Sequence, residues 1–465
     1  MIIEKYICMD LKRMLGKFAM FLLICMLVAC ARPAGELVGT SVSTSFFLEK
    51  DPYGMVFIKS GSFMMGENSQ NPMFARTDKS VNVSVDAFWM DQTEITNSEY
   101  RQFVCWVRDS IARTLLVEAG REEYAFVPKH GTFDAENVVL DWSKPIVWEN
   151  AKDEELGDIF SEMRYEDGTI NTTKFRYNYR WYAYEQAALP RNRFDVRTGK
   201  YLPTASVKID SSWVDEVSGF IYDTTFVRPL RHKDDLVSNR ILCVYPDTLV
   251  WVRDFQYAYN EPMLHMYFSH QGYNDYPVAG VTWEQAIAFC EWRTVLLQSA
   301  KSSLTQIYRL PTETEWEYAA RGGRRMAMYP WGTGYARDSE GCFLANFKPF
   351  RGGYADDESS ITMRVATYPA NDFGLYDMAG NVAEWTSSAY HVSTNNWISD
   401  MNPNYQYDAR NTDPPILKRK VIKGGSWKDI SYYLQCGTRT YEYQYESRPY
   451  IGFRCVRSYV GTIDN

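Results

Sequence analysis

Residues 423–439, KGGSWKDISYYLQCGTR, bring together groups able to do chemistry: the hydroxyls of Ser426 and Ser431, the carboxylate of Asp429 and the thiol of Cys436. The paired glycines Gly424 and Gly425 allow a backbone path closed to residues with a Cβ, and Trp427 gives the turn a large apolar anchor. A loop so framed can present a nucleophile or a metal ligand, but a thiol acts as either only as its thiolate. Of the nine cysteines, Cys8, Cys25 and Cys30 lie near the N-terminus, which leaves Cys105, Cys243, Cys290, Cys342, Cys436 and Cys455. Six cysteines admit fifteen full pairings, and spacing does not choose among them. There is no CxxC, and His130, His232, His265, His270 and His391 are scattered, which argues against a zinc centre.

The elements that must position these groups begin after a targeting segment. Lys5, Lys12, Arg13 and Lys17 precede the apolar residues 18–28, a run too short for a comfortable membrane span. The run ends in Leu27-Val28-Ala29-Cys30, which resembles a bacterial lipobox. On that resemblance residues 1–29 are a signal peptide, Cys30 carries the lipid and residues 30–50 are a tether. An ordinary signal peptide and an uncleaved anchor are the alternatives. Alanine at position 31, where aspartate would favour the inner membrane, points to the outer membrane.

Hydrophobic content of 45% with 23% charged residues is that of a folded chain, and 465 residues do not limit the core. A formal charge of −8 with no basic block excludes a nucleic-acid partner. Residues 55–58 and 61–66 read as short strands, and Val81, Val83 and Val85 alternate with polar residues before Phe88-Trp89-Met90. Thr96 and Glu99 form a capping box ahead of a stripe of Tyr100, Phe103, Val104, Val107 and Ile111. Thr282 with Gln285, and Thr312 with Glu315, open two more helices, the last stopping at Gly322-Gly323. Between residues 112 and 270 the pattern dissolves into short strand-like pieces (138–140, 175–179, 241–244 and 249–252), with no internal repeat. The basic-aromatic run at 174–184 reads as a strand pair with its rings turned inward. The remainder is loops rich in Gly, Asn and Trp, which need buried rings, polar networks or ions to hold them.

Those loops carry a family pattern. Gly61-Ser62-Phe63-Met64-Met65-Gly66, Thr93-Glu94-Ile95-Thr96-Asn97, residues 277–283 (PVAGVTW), residues 309–323 (RLPTETEWEYAARGG), Tyr329-Pro330-Trp331-Gly332, residues 374–385 (GLYDMAGNVAEW) and Gly452-Phe453-Arg454-Cys455 resemble, in order, the formylglycine-generating-enzyme (sulfatase-modifying factor) family. The resemblance implies its α+β, C-type-lectin-like fold with little regular secondary structure. Here that fold is divided into residues 51–111 and 271–460 by a large insertion at 112–270. Asp51-Pro52-Tyr53-Gly54-Met55 and residues 93–111 further resemble the GldK/PorK lipoproteins, with the GldJ gliding lipoproteins as a related alternative. That subfamily implies a subunit of the periplasmic ring of the type IX secretion (gliding-motility) machinery. The subunit would be lipid-anchored on the periplasmic face of the outer membrane, self-assembling, with a GldN/PorN-like partner.

The family's oxidase chemistry requires two cysteines that bind copper together. Counted from Gly424, their positions fall on Asp429 and Leu434; counted back from Cys436, on Ser431 and Ser426. Neither register supplies a thiol, so no copper and no enzyme activity are expected. The family also implies a Cys290–Cys455 disulfide, and places the usual partner of Cys436 at Ala320. It implies structural calcium as well, with Asn346 at one site and Asn381 and Glu384 at a second; the alternative for these last two is that they only bond the loop backbone. Three functions compete in this order: a noncatalytic ring scaffold, a lectin-like binder of glycan or peptidoglycan, and a residual oxidase.

Overall fold

A computed structural model describes residues 51–66, 80–125, 140–146, 171–215, 218–254, 266–300, 306–349 and 361–459, together with residues 148, 157, 161, 163 and 164. Cys30, the signal segment and the tether lie outside the described residues. In chain order the elements are β1 (Met55–Ile58), β2 (Gly61–Met65), β3 (Val81–Val85), β4 (Phe88–Asp91), α1 (Asn97–Glu118), β5 (Arg176–Tyr182), α2 (Tyr184–Ala188), β6 (Phe194–Asp195), β7 (Lys200–Tyr201), β8 (Ser206–Val214), β9 (Ile221–Pro229), β10 (Val237–Cys243), α3 (Leu249–Asp254), α4 (Trp283–Ala300), β11 (Tyr308–Arg309), α5 (Glu313–Ala320), β12 (Ala383–Ala389), β13 (Arg419–Lys423), β14 (Thr440–Tyr443), β15 (Ile451–Gly452) and β16 (Val456–Ser458). Three sheets run β1-β4-β16-β11, β14-β13-β12-β15 and β5-β10-β8-β9, with small pairs β2-β3 and β6-β7.

All three expected capping boxes close. The Thr96 N–H donates to Glu99 Oε2 at 2.8 Å while Thr96 Oγ1 accepts from the Glu99 N–H at 3.3 Å. Thr282 with Gln285 and Thr312 with Glu315 do the same, fixing where α1, α4 and α5 begin. The α1 stripe is buried from Tyr100 to Val107 and half-buried at Ile111, and its Tyr100 ring stacks on Phe289 of α4 at 5.6 Å. Phe103, Trp292 and Phe453 surround this pair edge-on or tilted. Such contacts add to the area that each ring removes from water.

One reading needs correction. Residues 249–252 form helix α3, not a strand. Asp247 Oδ1 caps the Leu249 N–H at 3.0 Å, and Trp251 packs on Tyr267 at 4.6 Å. Val and Trp suit a strand by propensity, but the buried contact of Trp251 with Tyr267 and Ala279 decides. The domain boundary read at residues 111/112 falls inside α1, which continues to Glu118 because Ala112, Leu116 and Val117 extend its buried side. The residues from 171 to 243 are more regular than their sequence suggests. β8 and β9 pair in unbroken register from Ser206↔Pro229 to Val214↔Ile221, and β10 joins β5 to β8. Tyr179 is buried and Tyr177 and Trp181 half-buried against the main core, as expected for an inward aromatic face.

Phe289→Ala is expected to destabilise the protein by about 3–5 kcal/mol, as for a large buried ring. Leu249→Ala, at 62% exposure, should cost about 0.5 kcal/mol or less. Urea unfolding of the two variants checks the ranking.

Candidate functional site

The loops rich in Gly, Asn and Trp meet beside β12. Its first residues pair with β15 on one side (Glu384↔Gly452) and β13 on the other (Glu384↔Lys423). This places Glu384 beside Arg454, both fully buried. Arg454 Nε lies 2.9 and 2.8 Å from the two carboxylate oxygens and Nη2 lies 2.7 Å from Oε1. The Trp316 indole donates to Oε2 at 2.8 Å. The rest of the guanidinium ties distant loops together, donating to the carbonyls of Asp91 at 3.1 Å and Tyr376 at 2.8 Å.

Two more carboxyls adjoin this pair. Glu94 accepts the Val382 N–H at 3.0 Å and the Asn381 amide at 2.6 Å. Burial, then the nearby Asp377 and Glu384, push its carboxyl well above the usual carboxylate range. Asp377, which accepts the Ala366 N–H at 2.7 Å, is raised to about 6, chiefly by burial. A second buried group centres on Glu317, the neighbour of Trp316 in α5. Glu317 bonds Arg321 Nη2 at 2.7 Å, Lys423 Nζ at 3.1 Å and the Gly66 N–H at 2.9 Å. Burial raises Glu317, but Lys423 and Arg321 outweigh it and leave its carboxyl below the ordinary value.

The residues expected to hold calcium do not form a cation site at Glu384, because a guanidinium already occupies its carboxylate. Asn381 sits in the left-handed region (φ 61°), donates to Glu94 and accepts the Met363 N–H at 2.9 Å. Asn346 donates its amide to the Ile361 carbonyl at 2.6 Å, and its own carbonyl accepts the Asn381 N–H at 2.9 Å. Asn346 and Asn381 thus meet through the backbone, with Gly380 so close that an added Cβ would lie 2.3 Å from the Asn346 oxygen. Among the described residues, no group of three or more His, Cys, Asp or Glu side chains converges as a metal site.

In the 423–439 loop, Gly424 and Gly425 have φ of 91° and 65°. A Cβ on Gly425 would meet the Tyr433 carbonyl at 2.8 Å. Ser426, fully buried, donates to Asp429 Oδ2 at 2.6 Å, and burial raises the Asp429 carboxyl. Leu434 packs with Tyr329, Ala345, Phe347 and Ala379. The Ser431 carbonyl accepts the Tyr329 hydroxyl at 3.1 Å. Cys436 shares a buried cluster with Ala320, and burial pushes its thiol up to about 12, which keeps it protonated. Cys290 and Cys455 lie together in the main core with Sγ atoms 3.5 Å apart.

Sequence reasoning quoted Glu94, Trp316, Asp377, Lys423 and Arg454 inside motifs without giving them roles. The available signal was opposite charges recurring in loops rich in Gly and Trp. It also missed a cleft of about 510 Å³ lined by Trp181, Tyr182, Lys208, Asp210, Asp408 and Arg410, among others. Its walls come from segments more than a hundred residues apart, bridged by the Arg410–Asp210 ion pair at 3.4 Å.

Residues 45–459 match the sulfatase-modifying factor enzyme 1-like domain, and the chain belongs to this FGE-sulfatase family. Formylglycine-generating enzyme of Bos taurus is 33% identical over 196 residues, 40% of this chain and 46% of that protein. Inactive C-alpha-formylglycine-generating enzyme 2 of Bos taurus is 32% identical over 188 residues, 39% of this chain and 50% of that protein. Serine/threonine-protein kinase pkn1 of Chlamydia pneumoniae is 31% identical over 191 residues, 40% of this chain and 25% of that protein. The matched stretch spans half or less of these relatives' length. The structure of PvdO from Pseudomonas aeruginosa aligns with 87% of this chain and 94% of its own, at 16% identity and a TM-score of 0.42.

Arg454→Met leaves Glu384 buried without its cation and is expected to cost about 3–5 kcal/mol in urea unfolding. The pH dependence has a defined sign. An unfolded aspartate titrates near about 4, while folded Asp377 titrates at about 6. Between these values the folded chain holds the extra proton, so this group's contribution falls as pH rises through the window and stays lost above it. Asp377→Asn, which tolerates the same left-handed backbone (φ 55°), should therefore gain stability relative to the parent from pH 4 to pH 7. A flat difference between the two melting curves would refute the assignment.

Proposed function

We propose that this chain is a noncatalytic structural subunit, anchored by lipid at Cys30 on the periplasmic face of the outer membrane, in the ring of the type IX secretion (gliding-motility) machinery. The observation that carries the noncatalytic half is the content of residues 423–439. The enzyme-like frame is kept, yet neither register supplies a thiol where the oxidase needs a pair: Asp429, bonded to Ser426, and Leu434, packed with Tyr329 and Phe347, stand there in one, and Ser431 and Ser426 in the other. A family relative named as inactive gives precedent for such a loss. The GldK/PorK-like residues 51–55 and 93–111 support the ring half, with a GldN/PorN-like chain as partner.

Native mass measurement of the detergent-solubilised complex tests it. A ring-sized assembly containing this chain and its partner is expected. A stable monomer whose deletion leaves secretion intact would end the proposal. Copper titration with a thiol-peptide oxidation assay should show neither stoichiometric copper binding nor oxidation.

The Trp181–Asp408 cleft favours a second reading, lectin-like binding, because rings beside carboxylates and amides suit sugar faces and hydroxyls. Retention on cell-wall or polysaccharide matrices would support it. In the same oxidising setting Cys290 and Cys455 are the pair to oxidise. Peptide mapping without reductant should recover them joined, and reduction should lower the thermal midpoint; recovery of both as free thiols would exclude the link.

A further inference from the structure

β9 is an edge strand whose protection is limited to the charges of Asp223 and Arg228 and a terminal proline. It is the outer member of the sheet β5-β10-β8-β9, and most of its residues are exposed along their whole length. The hairpin's limiting bonds, from the Asp215 N–H to the Phe220 carbonyl and from the Leu230 N–H to the Ala205 carbonyl, are both 3.0 Å. In an antiparallel pair such bonds recur at alternate residues. Tyr222, Thr224, Phe226 and Arg228 therefore bond to β8, while Ile221, Asp223, Thr225 and Val227 aim their N–H and C=O groups away from the sheet. Among the described residues no backbone group pairs with that outer edge. The register has no bulge, the strand has no lysine, and its proline, Pro229, stands at the end. Tyr222, Phe226 and Val227 are 46%, 40% and 68% exposed, and Trp213 of β8, 49% exposed, stacks on Tyr222 at 5.1 Å. Natural edges of this length are blunted or covered, since open ones pair with other strands.

The composition of β9 identifies the occupant, because the strand is complementary to itself. A two-fold axis at Thr224 sets Tyr222 opposite Phe226, Ile221 opposite Val227, Asp223 opposite Thr225 and Phe220 opposite Arg228. Rings then face rings, aliphatic faces aliphatic, and no like charges meet, which are the favourable cross-strand pairs. An axis at Thr225 would instead put Asp223 against Val227 and Thr224 against Phe226, and would bring Pro229, which has no N–H, into the ladder. We propose that β9 pairs antiparallel with β9 of a second copy of this chain, in the register that places Tyr222 against Phe226, extending the sheet across the interface. This pairing stands on the strand alone and does not depend on the ring reading.

The test uses the purified full chain carrying Cys342→Ser, which removes the thiol exposed among the described residues, together with Cys8→Ser, Cys25→Ser and Cys30→Ser. Adding Thr224→Cys places one thiol on the proposed axis, in a pair without backbone bonds where the chains come closest. Mild oxidation is expected to give a covalent dimer on a non-reducing gel, and light scattering should show a concentration-dependent dimer before oxidation. Thr225→Pro deletes an outward N–H that β8 does not use. It should weaken the dimer about tenfold or more, since two symmetry-related bonds are lost, while the monomer's thermal midpoint stays near the parent's. Monomer mass at every concentration with no crosslink would overturn the proposal. Crosslinking through Thr225→Cys in place of Thr224→Cys would overturn the register, whatever the result for the ring.

Discussion

The buried ion pair of Glu384 and Arg454 is the constraint on which the rest of the structure depends. A carboxylate and a guanidinium removed from water are tolerable only when nearly every donor and acceptor is matched. Arg454 meets that demand by reaching Asp91 and, within the 374–385 segment, Tyr376 and Glu384, two segments remote in sequence. Trp316 completes the carboxylate from α5. With so little regular secondary structure in this half of the chain, the pair takes the organising role that a longer sheet or helix layer would otherwise have. The Glu317–Arg321–Lys423 group is a second such core, with Lys423 Nζ 5.8 Å from the centre of the Trp316 ring.

The same arrangement accounts for the state of the 423–439 loop. Lys423 is anchored on Glu317, Gly424 runs against Trp316, and Ser426 and Asp429 satisfy each other. None of this framework needs a reactive thiol. A fold whose rigidity rests on ion pairs and rings outside the reactive positions can lose its chemistry and keep its shape.

Local features were the legible ones. Each capping box involves residues three apart, and each helix with such a box began where Thr96, Thr282 and Thr312 place it. The ordered motifs pointed to the family that the chain belongs to. What was not legible depends on contacts over long separations. Asn381 with Glu384 can be read as ligands or as bonding groups until Arg454 and Glu94 are seen beside them. Residues 249–252 suit a strand by composition, and only the Trp251–Tyr267 contact makes them helical. β9 was not legible because nearly all of its residues are exposed, so it carries no alternation of buried and exposed positions to read.

The place of β16 bears on how the molecule forms. Val456–Ser458 lies between β4 and β11, pairing Val456 with both Met90 and Arg309. Strands made early therefore cannot complete their sheet until the last part of the chain has arrived. Closure over such a separation raises contact order and slows folding. Until β16 has been made, β4 and β11 each lack the strand that joins them, and only the β1–β4 pair of this sheet can form.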